Sequence, residues 1–289
     1  MNYAAFSTHE LGGKSSPFLL SVEEWRAFSN YINQCVSLPT NIDSIIDAIN
    51  RVKNGTLKQS LFDLRNRGSS YTRVLTTSIE MTTKVKEASL FWGAGGRVGI
   101  ISLAQNIVRY ADLICIKHYA DLNQVLLEAQ KGHLSPNTKS KFINICKDLS
   151  EHALRYHLES QTMLTYISGF YTVIRGCKDT HQNCQDTLFR VPMYNNREYE
   201  VIAHTDIYLL RSIRNVIPSE AYILPVIRKI HLIWSAISYD LKELGADLNE
   251  DLVSLPAIIA ALELELAFEN WSAIRQKAED FYKNAENFS

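Results

Sequence analysis

With 289 residues and 46% hydrophobic side chains, the chain is long for one compact domain and suits an elongated helical body with ample core. Its 30 Lys and Arg against 31 Asp and Glu leave a formal charge of -1, which argues against a general nucleic-acid binder. Only 7 Pro and 12 Gly punctuate it, so long stretches are free to be helical.

Residues 1–20 are polar and read as an N-terminal arm. Met1-Asn2-Tyr3-Ala4-Ala5-Phe6 has no basic leader followed by an apolar run, so no secretory signal peptide is expected. The apolar uncharged stretches Val98–Val108 and Leu252–Leu262 each fall short of the roughly 18–20 residues of a transmembrane span. The expectation is a chain made as a soluble cytosolic protein, with any membrane action following release and rearrangement.

A first helix is predicted from Ser21, with Glu24 as capping-box partner, to about Val36, stopping before Pro39. A second runs from Asn41 through Val52 and ends at Asn54-Gly55. A long pattern from Leu57 to Trp92 is broken by Gly93-Ala94-Gly95-Gly96, and the next helix extends from Val98 to Gln130, with Lys131-Gly132 as its stop. From about Asn137 to Ile174 the apolar positions Phe142, Ile145, Leu149, His152 and Tyr156, then Met163, Tyr166, Phe170 and Val173, predict another long helix.

The polar stretch Gly176–Glu198 reads as a short head segment. Helix resumes around Tyr199 and breaks near Pro218. Ile223, Ile227, Ile230, Trp234, Ile237, Leu241 and Leu244 then follow the 4-3 spacing of a coiled-coil seam, with Gly245 as its end. The same alternation carries Ala257, Ala260, Leu264, Ala267, Trp271, Ile274, Ala278 and Phe281 in a last helix from about Pro256 to Asn287. Trp234, Ile237, Leu241 and Trp271 are the expected helix-packing anchors. The fold class is all-α: an elongated bundle of long antiparallel heptad-patterned helices, with a short head between two of them. Residues 21–175 form the first part of a tail bundle, 176–198 the head, and 199–289 the returning helices.

No constellation of acid, base, nucleophile or metal ligands asks for catalysis, so no enzyme and no cofactor is expected. The run Gly93-Ala94-Gly95-Gly96-Arg97-Val98-Gly99 follows a helical pattern rather than a strand and lacks a Lys-Ser/Thr, so it reads as an elbow between antiparallel helices rather than a phosphate loop. His152 and His157 are five apart and do not share a face as an i, i+4 metal pair would. His152 falls on the predicted seam, with Glu159 one heptad on. Cys35, Cys115 and Cys146 sit in helical patterns as buried thiols. Cys177 and Cys184 flank a short polar loop containing His181, where a loop-closing disulfide is a more natural reading than a metal site.

Three stretches resemble the α-helical pore-forming toxins of the α-xenorhabdolysin A type, relatives of haemolysin BL and cytolysin A. Trp25–Ile45, with Tyr31 and the Leu38-Pro39-Thr40 corner, is similar to the family's early helix. Leu232-Ile233-Trp234-Ser235-Ala236-Ile237, followed by Asp240-Leu241 and Leu244, resembles its returning long helix. Ala267-Phe268-Glu269-Asn270-Trp271 with Ala278 is similar to its closing helix. The resemblance implies a tail bundle, a head inserted between two long helices, and assembly of homo- or hetero-oligomers on a target membrane, at a lipid or surface receptor and often with a second subunit. The function so implied is that of a pore-forming cytolysin component, a virulence toxin, without nucleic-acid partners.

One departure matters. Where the family carries an apolar hairpin, this chain has Gly176–Glu198, with Lys178, Asp179, Asp186, Arg190, Asn195 and Asn196. Desolvating those groups outweighs the gain from the few apolar ones. Either the long helices insert after rearrangement, or the chain is a non-lytic interaction protein on the same scaffold. Leu188, Phe189, Met193 and Tyr194 are the candidate membrane contacts, joined by Phe91 and Trp92 if the glycine elbow lies at the same end. Ordinary loop-tip and helix-end packing explains all six equally well.

Overall fold

The structure is a computed structural model and describes residues 22–52, 55–67, 69–211, 223–250, 259 and 264–287. The helices are α1 (Val22–Val36), α2 (Ile42–Val52), α3 (Lys58–Arg67), α4 (Ser69–Phe91), α5 (Arg97–Asp112), α6 (Tyr119–Gln130), α7 (Pro136–Leu188), α8 (Asn196–Thr205), α9 (Ile223–Glu250) and α10 (Leu264–Asn287). Three π-helical turns, Trp92–Gly96, Leu113–Lys117 and Asp206–Leu210, extend α4, α5 and α8. Among the described residues there is no strand, and the fold is all-α with long heptad-patterned helices.

Local chemistry explains the helix ends. Asn41 caps α2, its Oδ1 accepting from the Ser44 N–H at 2.7 Å. Gly132, at φ 81, closes α6 in the left-handed conformation that glycine adopts without penalty. Three residues on, Ser135 caps α7 through the Thr138 N–H at 3.2 Å, and Pro136 occupies the first helical position, where its missing N–H costs nothing. Glu128 ties the two ends together, accepting from the Ser135 N–H at 2.9 Å and the Thr138 hydroxyl at 2.8 Å. Those bonds, the Ser135 amide foremost, hold its carboxyl down at about 2. The arm 1–20, Ser21 and the Glu24 side chain, Asn54, Pro218, Pro256, Ala257 and Ala260 lie outside what is described.

Four expectations are corrected. The glycine run is no break: Gly93–Gly96 lies within a π-helical turn, and α5 begins at the next residue. Helical hydrogen bonding survives there because glycine is merely a poor helix former, about 1 kcal/mol worse than Ala. For the same reason α9 runs through Gly245 to Glu250. Most of the expected head is helical too. Residues 176–188 complete α7, 189–195 form a turn, and 196–198 open α8.

The seam of α7 also stands one residue away from the predicted one at several places. Besides Thr138 and the predicted Ile145, which are buried near its start, its buried seam runs Phe142, Cys146, Leu149, Ala153, Tyr156, Ser160, Met163, Ile167, Phe170, Ile174, Cys177, His181, Cys184 and Leu188. Their spacing alternates four and three without interruption. Ala153 rather than His152, Ile167 rather than Tyr166, and Ile174 rather than Val173 face the core.

The chain divides into two units. One comprises Met1–Arg26, Arg97–Thr165 and Tyr222–Ser289. In it α10 lies along α5, and an aromatic cluster joins four helices: Tyr110 of α5, Tyr156 of α7, Trp234 of α9 and Trp271 of α10. Tyr110 meets Trp234 at 5.0 Å and Trp271 at 5.1 Å, and Tyr156 meets Trp234 at 5.1 Å. Ile237 and Leu241 are buried on the same stripe of α9.

The other unit comprises Ala27–Gly96 and Tyr166–Ala221. Here Trp92 packs edge-on to Phe28 at 5.2 Å and beside Phe170 at 6.1 Å. Helices α2 and α3 pack on α8, and the buried Tyr71 hydroxyl reaches Thr205 Oγ1 at 2.9 Å. Because Thr205 donates to the Val201 carbonyl, Tyr71 is the donor, and burial pushes its phenol up to about 12.

Candidate functional site

The turn between α7 and α8, in the second unit, gathers three of the sequence candidates. Pro192 ends the helical path: it forces Val191 out of α space, and the last turn of α7 tightens through Arg190 N–H to the Thr187 carbonyl at 3.1 Å and Val191 N–H to the Leu188 carbonyl at 3.2 Å. Asn195 then caps α8, accepting from the Glu198 N–H at 3.0 Å. Glu198 reciprocates, taking the Tyr194 N–H at 2.8 Å and Asn195 Nδ2 at 3.3 Å. The turn is therefore pinned at both ends by backbone chemistry. Leu188, Val191 and Glu198 point inward and are buried.

What remains outward is apolar, aromatic and basic, together with the neutral Asn195 and Asn196. Phe189 is 50% exposed, Met193 38%, Tyr194 75% and Tyr199 60%. Arg190 and Arg197 are exposed among them, and neither makes an ion pair among the described residues. Between Asp186 and Glu200 the only acid is Glu198, and it is turned inward. Sequence reading missed Tyr199 and counted Arg190 against the site. The Asn195-x-x-Glu198 capping box was the signal that could have placed Arg197 and Tyr199 on the first turn of α8, beside the apolar tip.

The other candidates are dispersed. Leu188 and Trp92 are core residues and have no surface to offer. Phe91 is exposed but stacks on Tyr166 at 5.0 Å. Tyr166 lies 22 residues before Leu188 on α7, roughly 33 Å along the helix at 1.5 Å per residue, so Phe91 and the tip are separate places. Cys177 and Cys184 are two turns apart on one helix, about 10 Å at that rise, which is beyond disulfide reach. Both are buried free thiols, each raised by burial. The predicted loop around His181 is instead a helical turn, and the buried His181 Nε2 pairs with the Leu210 carbonyl at 2.8 Å.

Two histidine constellations occupy the first unit. Asp148 receives Lys117 Nζ and His118 Nε2, each at 2.7 Å, with His152 Nδ1 at 3.6 Å. Burial pushes its carboxyl up, but the hydrogen bonds from Lys117 and His118 win and hold it low. His157 and His231 stack at 4.3 Å and 24°, and Ser160 Oγ lies 3.3 Å from His231 Nδ1. No group of three or more His, Cys, Asp or Glu able to hold a metal ion occurs among the described residues. Neither constellation includes a hydroxyl or thiol poised as a nucleophile. Ser160 Oγ spends its proton on the His157 carbonyl at 2.7 Å.

One described helical run, Arg97–Lys117, is long and apolar enough to cross a membrane, with 44% of its apolar window buried. This corrects the reading from uncharged stretches. That reading stopped at Arg109, whereas the helix continues through Asp112 into Leu113, Ile114, Cys115 and Ile116. Core helices meet the same test, and Tyr110 and Ile107 hold this one in its bundle.

No family model matches the chain, and a search of curated proteins finds no match. Among solved structures, the chain is similar to the Bacillus cereus HblL1 toxin component, with 12% identity and a TM-score of 0.44, covering 92% of this chain and 93% of that one.

Proposed function

We propose that this protein acts at a target membrane as one component of an α-helical pore-forming assembly, oligomerising there alone or with a second subunit. The carrying observation is the pinned turn between α7 and α8, which presents Phe189, Met193, Tyr194 and Tyr199 to solvent while its one acid is buried. A fixed turn bearing aromatic and apolar side chains is suited to the headgroup region, where such residues gain most. The three sequence stretches that resemble the α-xenorhabdolysin type support the same reading.

The turn itself is a contact, not a channel. Its seven residues, 189–195, extend at most about 25 Å, less than the roughly 30 Å of hydrocarbon they would have to cross even once. Any spanning element must come from the helices, and Arg97–Lys117 would first have to leave the aromatic core of its unit. That same shortness favours a second reading, a non-lytic interaction protein on this scaffold.

Vesicle flotation combined with dye release separates the two readings. Flotation with leakage, alone or with a partner subunit, both abolished in F189D/M193D, is the expected result. Flotation without leakage under any pairing selects the non-lytic reading, and absence of binding to any vesicle overturns the membrane proposal.

A further inference from the structure

We infer that the tip between α7 and α8 selects anionic phospholipid surfaces, through Arg190 and Arg197 set among its exposed apolar side chains. This rests on the membrane reading above and specifies the lipid it requires.

The chain as a whole is nearly neutral, at -1, so nothing in its overall charge draws it to an anionic surface. The attraction is local. From Thr187 to Tyr199 the chain carries two cations, Arg190 and Arg197, and one acid, Glu198; the next acid, Glu200, lies half-buried one residue further along α8. The acid is withdrawn: both carboxylate oxygens are engaged by Tyr194 N–H and Asn195 Nδ2, and the side chain is 2% exposed. The capping box that starts α8 thus also removes the turn's only negative charge from its surface.

Each guanidinium presents a planar fork of donors suited to phosphate oxygens, and neither has a carboxylate partner to surrender among the described residues. The nearest exposed acid before the turn, Asp186, accepts from Gln182 Nε2 at 3.0 Å, on the flank of α7. Phe189 adjoins Arg190, and Tyr194 and Tyr199 flank Arg197 in sequence; aromatic side chains beside cations are the pattern of an interfacial contact rather than of a soluble surface. Membrane-adjacent basic residues act additively, at about fivefold in binding for each on an anionic leaflet. The effect is screened over a Debye length of about 8 Å at physiological salt.

The test is flotation of the full chain with phosphatidylcholine vesicles and with vesicles in which part of that lipid is replaced by phosphatidylserine. The inference expects much tighter binding to the serine-containing vesicles, a steep loss as salt rises from 50 to 500 mM, and roughly 25-fold weaker binding for R190Q/R197Q. Both arginines are exposed, so the variant should fold, with unchanged circular dichroism and melting as the check. F189D/M193D should weaken binding to both vesicle types. Equal binding to the two compositions, or undiminished binding by R190Q/R197Q, overturns the inference and leaves the membrane reading standing. Failure to bind either composition overturns both.

Discussion

The two units place the same heptad logic on different chemistry. In the first, the seam is closed by large aromatic side chains from four helices, Tyr110, Tyr156, Trp234 and Trp271, with ring centroids 5.0 to 6.5 Å apart. In the second, beyond Phe170, the seam of α7 is filled by Ile174, Cys177, His181, Cys184 and Leu188. Helix α4 there buries Ser78, Thr82 and Ser89, and the hydroxyls of Thr82 and Ser89 bond to backbone carbonyls. A helical seam can therefore carry polar side chains where backbone carbonyls are at hand to accept from them, because the cost of burial falls on unpaired groups. Hydropathy reads the first kind of seam and overlooks the second.

The sharpest test of that contrast is truncation of the first unit's cluster. Trp234→Ala should cost about 3–5 kcal/mol in denaturant unfolding. A loss below about 1 kcal/mol would mean the cluster does not organise the unit. In the second unit, His181→Leu fills the same space but removes the bond to the buried Leu210 carbonyl, and should cost about 1–3 kcal/mol. Stabilisation by this substitution would show the polar seam to be incidental.

The glycine run offers a paired test. A Cβ at Gly96 would clash with the ring of Trp92, and that ring is held by Phe28 and Phe170, so Gly96→Ala should destabilise by about 1–3 kcal/mol. Gly93 has nothing within 4 Å of such a Cβ, and Gly93→Ala should stabilise by up to about 1 kcal/mol. Equal effects at the two sites would undo the packing argument.

The smallest effect concerns pH. Burial, then the neighbouring His157, lowers the pKa of His231 below 6.5, so the unfolded chain takes up this proton more readily than the folded one. The stability contributed by neutral His231 is present above about 6.5 and is lost as pH falls below it. Melting temperatures of the parent and of His231→Gln, measured from pH 7.5 to 5.5, should diverge, with the parent losing more on acidification. Parallel curves would show that the stacked pair does not sense protons.

Much of the helical layout is legible in the residues themselves. Pro39 and Lys131-Gly132 mark real ends, and the stripe from Ile227 to Leu244 is buried as its spacing requires. Backbone hydrogen bonding is local, and proline, glycine and capping side chains act within a few residues, so these features need no knowledge of the rest of the chain. That Phe189, Met193 and Tyr194 lie exposed on one short stretch was likewise within reach of sequence.

Tertiary packing decided the rest. Whether Gly176, Cys177 and His181 belong to a loop or a helix depends on a distant carbonyl, that of Leu210, being there to accept. Whether Leu188 and Trp92 face lipid or core depends on the neighbours that cover them, and Phe91 is separated from the tip by six turns of α7. The surface charge of the tip depends on Glu198 turning inward, a choice made by two hydrogen bonds rather than by composition. Periodicity tells which residues share a face. Only the folded chain supplies what that face meets, because burial and the satisfaction of polar groups are properties of neighbours far apart in sequence.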